Sequence, residues 1–179
     1  MSITEQDRSY IVWQNRAFYF YVAARACFHK GFDPPAVSLS QQCIEQLMKA
    51  TLIWWDSSFK PKKLGHDLEK MSQLIQVKVQ NQGDFKVPGY LCDGKYQSLS
   101  RYPAPGGQGY GISGTLISGV DCLFADLVEM VSFQFNSELI RTLKQKRTHE
   151  NWYFDLELHN GQMDRLRKHV LPLRSQPHA

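Results

Sequence analysis

The sequence predicts an all-α fold, and three observations carry that prediction. Apolar residues recur at helical spacing through four long segments. The first two of these are separated by helix punctuation, a Gly and then Asp-Pro-Pro. The one stretch that alternates like a strand, Trp152 to His159, has no evident strand to pair with.

The first segment opens on Ser2-Ile3-Thr4-Glu5, which has the spacing of a capping box. Val12/Trp13, Ala17, Phe20/Tyr21, Ala24 and Cys27/Phe28 then form one helical face, and Gly31 suits the residue just past a helix end. Asp33-Pro34-Pro35 begins the second helix, with Asp as cap and Pro at the first helical position. Its stripe is Leu39, Cys43/Ile44, Leu47/Met48, Thr51/Leu52 and Trp55. So short a connection makes the two helices an antiparallel hairpin. Trp54 and Trp55 diverge by about 100° around the axis, so one faces the core and the other is open to a partner chain.

A basic Lys60-Pro61-Lys62-Lys63-Leu64-Gly65 turn precedes a third helix over about His66 to Gln80, with Leu68, Met71, Leu74/Ile75 and Val79 inward. From Asn81 to Thr115 neither period survives, and Gly and Pro accumulate; a loop of this length in a compact domain is usually functional or mobile. Ser118-Gly119-Val120-Asp121 starts a fourth helix, apolar at Leu123/Phe124, Leu127/Val128, Val131, Phe135, Leu139/Ile140 and Leu143. It reaches Lys146, with Asn136-Ser137 as the place for a bend. Thr148-His149-Glu150 can cap a short helix over the alternating stretch, and Gln162 to Val170 reads as a last one. The organisation is a bundle over 1–147 and a C-terminal basic extension over 148–179, packed on or flanking it.

At 179 residues the chain can bury a core without staples. Its four cysteines form no CxxC pair and no cluster with histidine, which favours a reducing, cytoplasmic setting over secretion. No run approaches the roughly 18 uninterrupted apolar residues of a membrane span, and no signal peptide is visible. The net charge of +4 is unevenly placed: Lys/Arg and Asp/Glu balance at 13 each up to Ile140, and stand at 8 against 4 from Arg141 onward. Arg165, Arg167 and Lys168 in that end either displace counterions from a nucleic acid or simply suit a solvated helix terminus.

Other residues carry candidate chemistry. His66, beside Lys62 and Lys63, either donates to a phosphate or shapes the start of the third helix while Asp67 favours its positive end. Arg101 can clamp a phosphate and Tyr102 can stack on a base; equally, Arg101 can pair with a helix carboxylate and Tyr102 fill the core. Gly109 to Gly114 matches GxGxxG by letter but lacks the buried strand a dinucleotide site needs before it, although its amides can cradle an anion. His149, His159 and His169 recur every ten residues without ligand spacing, so no metal is expected.

Ala23-Ala24-Arg25, Gln42 to Lys49, Lys63-Leu64-Gly65-His66-Asp67-Leu68 and Ser100-Arg101-Tyr102-Pro103 occur in an order that resembles the HEPN (higher eukaryote and prokaryote nucleotide-binding) domains, over about Phe18 to Val131. The resemblance implies an up-and-down bundle of four to five helices, here with a long Gly-rich loop between helices 3 and 4. It often implies a homodimer with an interface cleft. Members include toxin ribonucleases, partners of nucleotidyltransferases and nucleotide-binding modules.

The ribonuclease branch carries an Arg and a His separated by four to six residues, Arg holding the scissile phosphate and His acting as general acid or base. No Arg here complies: Arg25/His29, Arg165/His169 and Arg174/His178 have three residues between them, and Arg141/His149 has seven. Only Lys144/His149 fits, with a point charge in place of the planar fork. The resemblance therefore implies a non-catalytic module, without a cofactor, that binds RNA, a nucleotide or a nucleotidyltransferase partner in a bacterial defence or toxin–antitoxin system. The alternatives are a metal-independent ribonuclease using Lys144 or Arg141 with His149, and a protein-docking dimer built on Trp54/Trp55 and the Gly-rich loop.

Overall fold

Helix α1, Glu5–His29, ends where Gly31 takes a left-handed conformation at φ +74°. The Gly31 N–H donates to Phe28 O (3.0 Å) and the Phe32 N–H to Cys27 O (2.8 Å), the paired bonds of a Schellman cap. Helix α2, Asp33–Trp55, follows at once, with Pro34 and Pro35 in its first turn. The cap position falls on Phe32 and no side chain caps it, so Asp33 sits inside the first turn, where its charge suits the positive helix end. The computed structural model describes residues 5–79, 85–92, 114–131, 138–143 and 159–170. The Ser2 to Glu5 capping box therefore lies mostly outside them.

The α1–α2 hairpin is the frame of the molecule. Helix α2 is buried on every side between Ala36 and Ile53, including Ser40, Gln41, Glu45, Lys49 and Thr51. A helix covered all round is a central one, which the stripe in its sequence understates. Trp55 packs against the core; Trp54 is exposed and meets Tyr10 edge-on at 4.9 Å.

After α2 the Asp56 carboxylate accepts from the Ser58 N–H (2.9 Å) and hydroxyl (2.7 Å), bonds that lower its pKa. A 3-10 turn over Pro61–Leu64 leads to Gly65, again left-handed at φ +56°. Helix α3, Leu68–Lys78, begins two residues later than its pattern suggests because Asp67 caps it, accepting from the Lys70 N–H at 2.9 Å. Leu68, Met71, Ile75 and Val79 are buried, whereas Leu74, expected inward, is 40% exposed.

Part of the aperiodic stretch belongs to the core. Phe85 and Val87 are buried outside any helix, with the Phe85 N–H on Gln76 Oε1. One turn of helix, α4 (Gly89–Cys92), buries Leu91, whose carbonyl accepts from the Gln41 amide at 3.2 Å. Helix α5, Gly114–Met130, starts four residues earlier than predicted. It does not continue to Lys146: a separate helix α6, Glu138–Leu143, lies against α1, tied by the Glu138 N–H to Asn15 Oδ1 (3.1 Å). Asn136-Ser137 and all but the last residue of Trp152 to His159 lie outside the described residues. Helix α7, Met163–Val170, seats Met163, Leu166 and Val170 against the core beside α5. Among the described residues every regular element is helical, and no helix is long and apolar enough to cross a membrane.

Candidate functional site

Two charged clusters are built into the hairpin, and they differ in what reaches them. The first lies on the core face of α1. Arg25, fully buried, forms an ion pair with Asp121 of α5. The Tyr21 hydroxyl donates to the other Asp121 oxygen at 2.6 Å and accepts from the Asn160 amide at 2.8 Å. The Tyr21 ring stacks on Phe124, centroids 4.0 Å apart and planes 4° from parallel. Burial pushes the Tyr21 phenol well above its usual pKa, keeping it a donor, and raises the Asp121 carboxyl against the opposing pull of Arg25 and Tyr21. Beside Asp121 the Cys43 thiol is also raised by burial, which makes it a small hydrophobe rather than a nucleophile.

One turn on, His29 Nε2 lies 3.3 Å from Arg25 Nη2, and the His29 ring stands 6.4 Å from that of His159. An Arg and a His are thus adjacent, but the guanidinium is sealed against a carboxylate and has no access to a phosphate. The second Arg–His pair at this spacing is also engaged by carboxylates, although its guanidinium is partly exposed. Arg165 places Nε and Nη2 on the two oxygens of Glu129, each at 2.6 Å, with Asp126 at 2.7 Å from Nη2. Those bonds raise its pKa and lower that of Glu129. Arg167 lies 3.6 Å from Asp164, and Lys168 is exposed. Arg141 pairs with Glu138 one turn earlier on the exposed side of α6.

The second cluster sits where α2 passes under the 3-10 turn. Glu45 and Lys49, one turn apart and both buried, pair at 2.6 Å. Lys49 Nζ also donates to Gly65 O at 2.6 Å and lies 5.3 Å from the centre of the Trp13 ring. The second Glu45 oxygen meets His66 Nδ1 at 2.8 Å, and the His66 side chain is 78% exposed. Lys62 and Lys63 are exposed on the same turn. The predicted Lys62, Lys63 and His66 therefore stand together at the surface, on a buried support of Glu45 and Lys49 that periodicity did not single out. Arg101, Tyr102, Lys144 and His149 lie outside the described residues.

A cavity of about 760 Å3 opens between α3 and residues 85–92, lined by Glu69, Gln73, Gln76, Lys86 and Cys92 among others, on a different stretch from the basic turn. Among the described residues no three His, Cys, Asp or Glu side chains converge to hold a metal ion.

A family model of the HEPN domain matches residues 10–105, more than half of the chain. The chain belongs to the HEPN domain family. The matched span holds α1 from Tyr10 onward, α2 to α4, the basic turn and the Glu45–Lys49 support, and stops before Asp121 and Asn160. HEPN membership points to nucleotide- or RNA-related function, and HEPN domains often dimerise. No curated protein and no solved structure matches the chain.

Proposed function

We propose that this HEPN domain is a non-catalytic module that binds the phosphate groups of RNA or of a nucleotide through Lys62, Lys63 and His66. One observation carries the reading. Both described Arg–His pairs one helical turn apart have their guanidinium committed to carboxylates, Arg25 to Asp121 and Arg165 to Glu129 and Asp126. The basic side chains of the 3-10 turn, by contrast, face solvent. An arginine already saturated by carboxylates is poorly placed to clamp a scissile phosphate, while exposed ammonium groups displace counterions readily. Arg101, Tyr102, Arg167 and Lys168 are further candidates for phosphate and base contacts, in a cytoplasmic homodimer of a bacterial defence or toxin–antitoxin type.

The test is retention of labelled mixed RNA by the whole protein in EDTA across a salt series. Binding that weakens steeply with salt, and less steeply in Lys62→Gln/Lys63→Gln by about 0.7 in logarithmic slope per phosphate contact removed, supports the proposal. Cleavage in EDTA that disappears in His149→Ala would establish the ribonuclease alternative with Lys144 or Arg141. RNA neither held nor cut would favour docking of a nucleotidyltransferase or another protein.

A further inference from the structure

We infer that Glu45 and His66 form a carboxylate–imidazole pair that presents His66 Nε2 as a hydrogen-bond donor to a phosphate oxygen, so that binding takes up a proton. The inference rests on the phosphate-binding reading above and gives it a donor atom and a positioning residue. Glu45 accepts at both oxygens, from Lys49 Nζ at 2.6 Å and from His66 Nδ1 at 2.8 Å. Since the carboxylate can only accept, His66 carries its proton on Nδ1, and Nε2 is the ring nitrogen left for a ligand. Lys49 fixes the backbone as well as the carboxylate, because it also holds the carbonyl of Gly65, the residue before His66. The imidazole is thus held through its own side chain and through its preceding peptide, on a helix that is buried all round.

A neutral ring in this tautomer turns a lone pair toward an approaching phosphate. Only the imidazolium donates from both nitrogens, to Glu45 on one side and to the ligand on the other. The surrounding cations repel a further positive charge on the ring, and an arriving phosphate relieves that repulsion. Glu45 and Lys49 from α2 offset each other, and α1 contributes the uncharged Trp13 ring. The Asp67 carboxylate is engaged with the Lys70 N–H as the cap of α3. Lys62 and Lys63 of the 3-10 turn add positive charge. Of the side chains on the turn, the imidazole is the one that gains a second N–H donor by taking up a proton.

The experiment is fluorescence anisotropy of a labelled oligoribonucleotide with the full chain from pH 5.5 to 8 at fixed ionic strength. Competition by ATP and by inorganic phosphate separates polynucleotide, nucleotide and bare anion as sources of the phosphate. Affinity is expected to fall about three- to tenfold from pH 5.5 to 7.5, approaching tenfold per pH unit at most for one linked proton. His66→Asn should flatten that profile, and Glu45→Gln should lower binding at acid pH and move the midpoint downward. In case Glu45→Gln does not fold, the imidazole nitrogens of histidine-labelled wild-type protein give a second readout. Their His66 signals should report the Nδ1–H tautomer and titrate at higher pH when inorganic phosphate is added.

RNA held with the same affinity at every pH, or an unchanged profile in His66→Asn, overturns the inference and leaves the phosphate-binding reading standing. RNA lost at all pH values while His66 still responds to phosphate keeps the anion site and removes the RNA reading. Neither retention nor a His66 response removes both.

Discussion

The sealed cluster at Arg25 and Asp121 and the open one at Glu45, Lys49 and His66 use similar groups to opposite ends. Each sets a buried carboxylate against a buried cation contributed by the α1–α2 hairpin. In the first, the partners of the carboxylate are internal: Arg25 and Tyr21 bond Asp121, Asn160 bonds the tyrosine hydroxyl, and Phe124 covers the tyrosine ring. In the second the same saturation of carboxylate and ammonium ends in an imidazole that is 78% exposed. Buried charge is expensive unless every lone pair and proton is matched, so both clusters must be complete. What distinguishes them is whether the last partner faces inward or outward, and only the outward one can act on a ligand.

The comparison breaks most decisively at Arg25. Arg25→Met leaves Asp121 buried without its cation, an expected loss of about 3 to 5 kcal/mol in urea unfolding at neutral pH. The sign of its pH dependence follows from the carboxyl. Burial already raises the Asp121 pKa, and losing Arg25 raises it further. Such a group gives its full contribution below the ordinary carboxylate value of 3.8 and loses it as the pH rises through the raised one. The deficit of the variant should therefore shrink on acidification, as Asp121 takes up a proton. A deficit that grows toward acid pH would mean the pair is not what the substitution disturbs.

Tyr21→Phe comes next, at about 1 to 3 kcal/mol, because it strips one partner each from Asp121 and Asn160 in the interior. Arg165→Ala removes a bidentate bridge that is partly solvated, and about 1 kcal/mol or less is expected. Glu129 titrates with the opposite sign to Asp121. Its pKa is lowered, so the stability it contributes is present above the ordinary 4.5 and is lost as the pH falls through the lowered value. Thermal melts of wild type and Arg165→Ala should converge there. The smallest effect belongs to the open cluster: His66→Asn should change stability by no more than about 0.5 kcal/mol. A large loss at His66 would make the second cluster structural like the first.

Local chemistry was legible in the sequence to the extent that it is local. Gly31 as a left-handed helix end, the all-α class and the helix over Met163–Val170 follow from residues within a few positions of one another. The start of α5 at Gly114, and the burial of Phe85 and Val87 in an aperiodic stretch, depend on tertiary packing that no window contains, whereas the Asp67 cap that starts α3 is local. The clusters span larger separations still: 96 positions from Arg25 to Asp121, and 139 from Tyr21 to Asn160. A signal was nevertheless present. Arg25 continues the apolar face that carries Tyr21 and Phe28, and Asp121 interrupts an apolar run from Val120 to Phe124. A cation on one core-facing stripe and an anion on another are a matched pair waiting to be read together. Glu45 and Lys49 gave the same sign within one helix, at a spacing that reads equally well as an exposed pair on a solvated face.

The long reach between Arg25 and Asp121 also bears on which helix can cover the hairpin. The α1–α2 hairpin is built from local contacts and can form as soon as both helices have left the ribosome. It then presents an uncompensated guanidinium on the surface that will become the interior, and its counter-ion is 96 residues behind. A covering helix without a carboxylate at that point would bury the guanidinium unpaired, at a cost of about 3 to 5 kcal/mol. Asp121 supplies that carboxylate, and Asn160, later still in the chain, donates to the tyrosine hydroxyl. The buried charge therefore penalises any alternative packing of the hairpin that lacks its counter-ion.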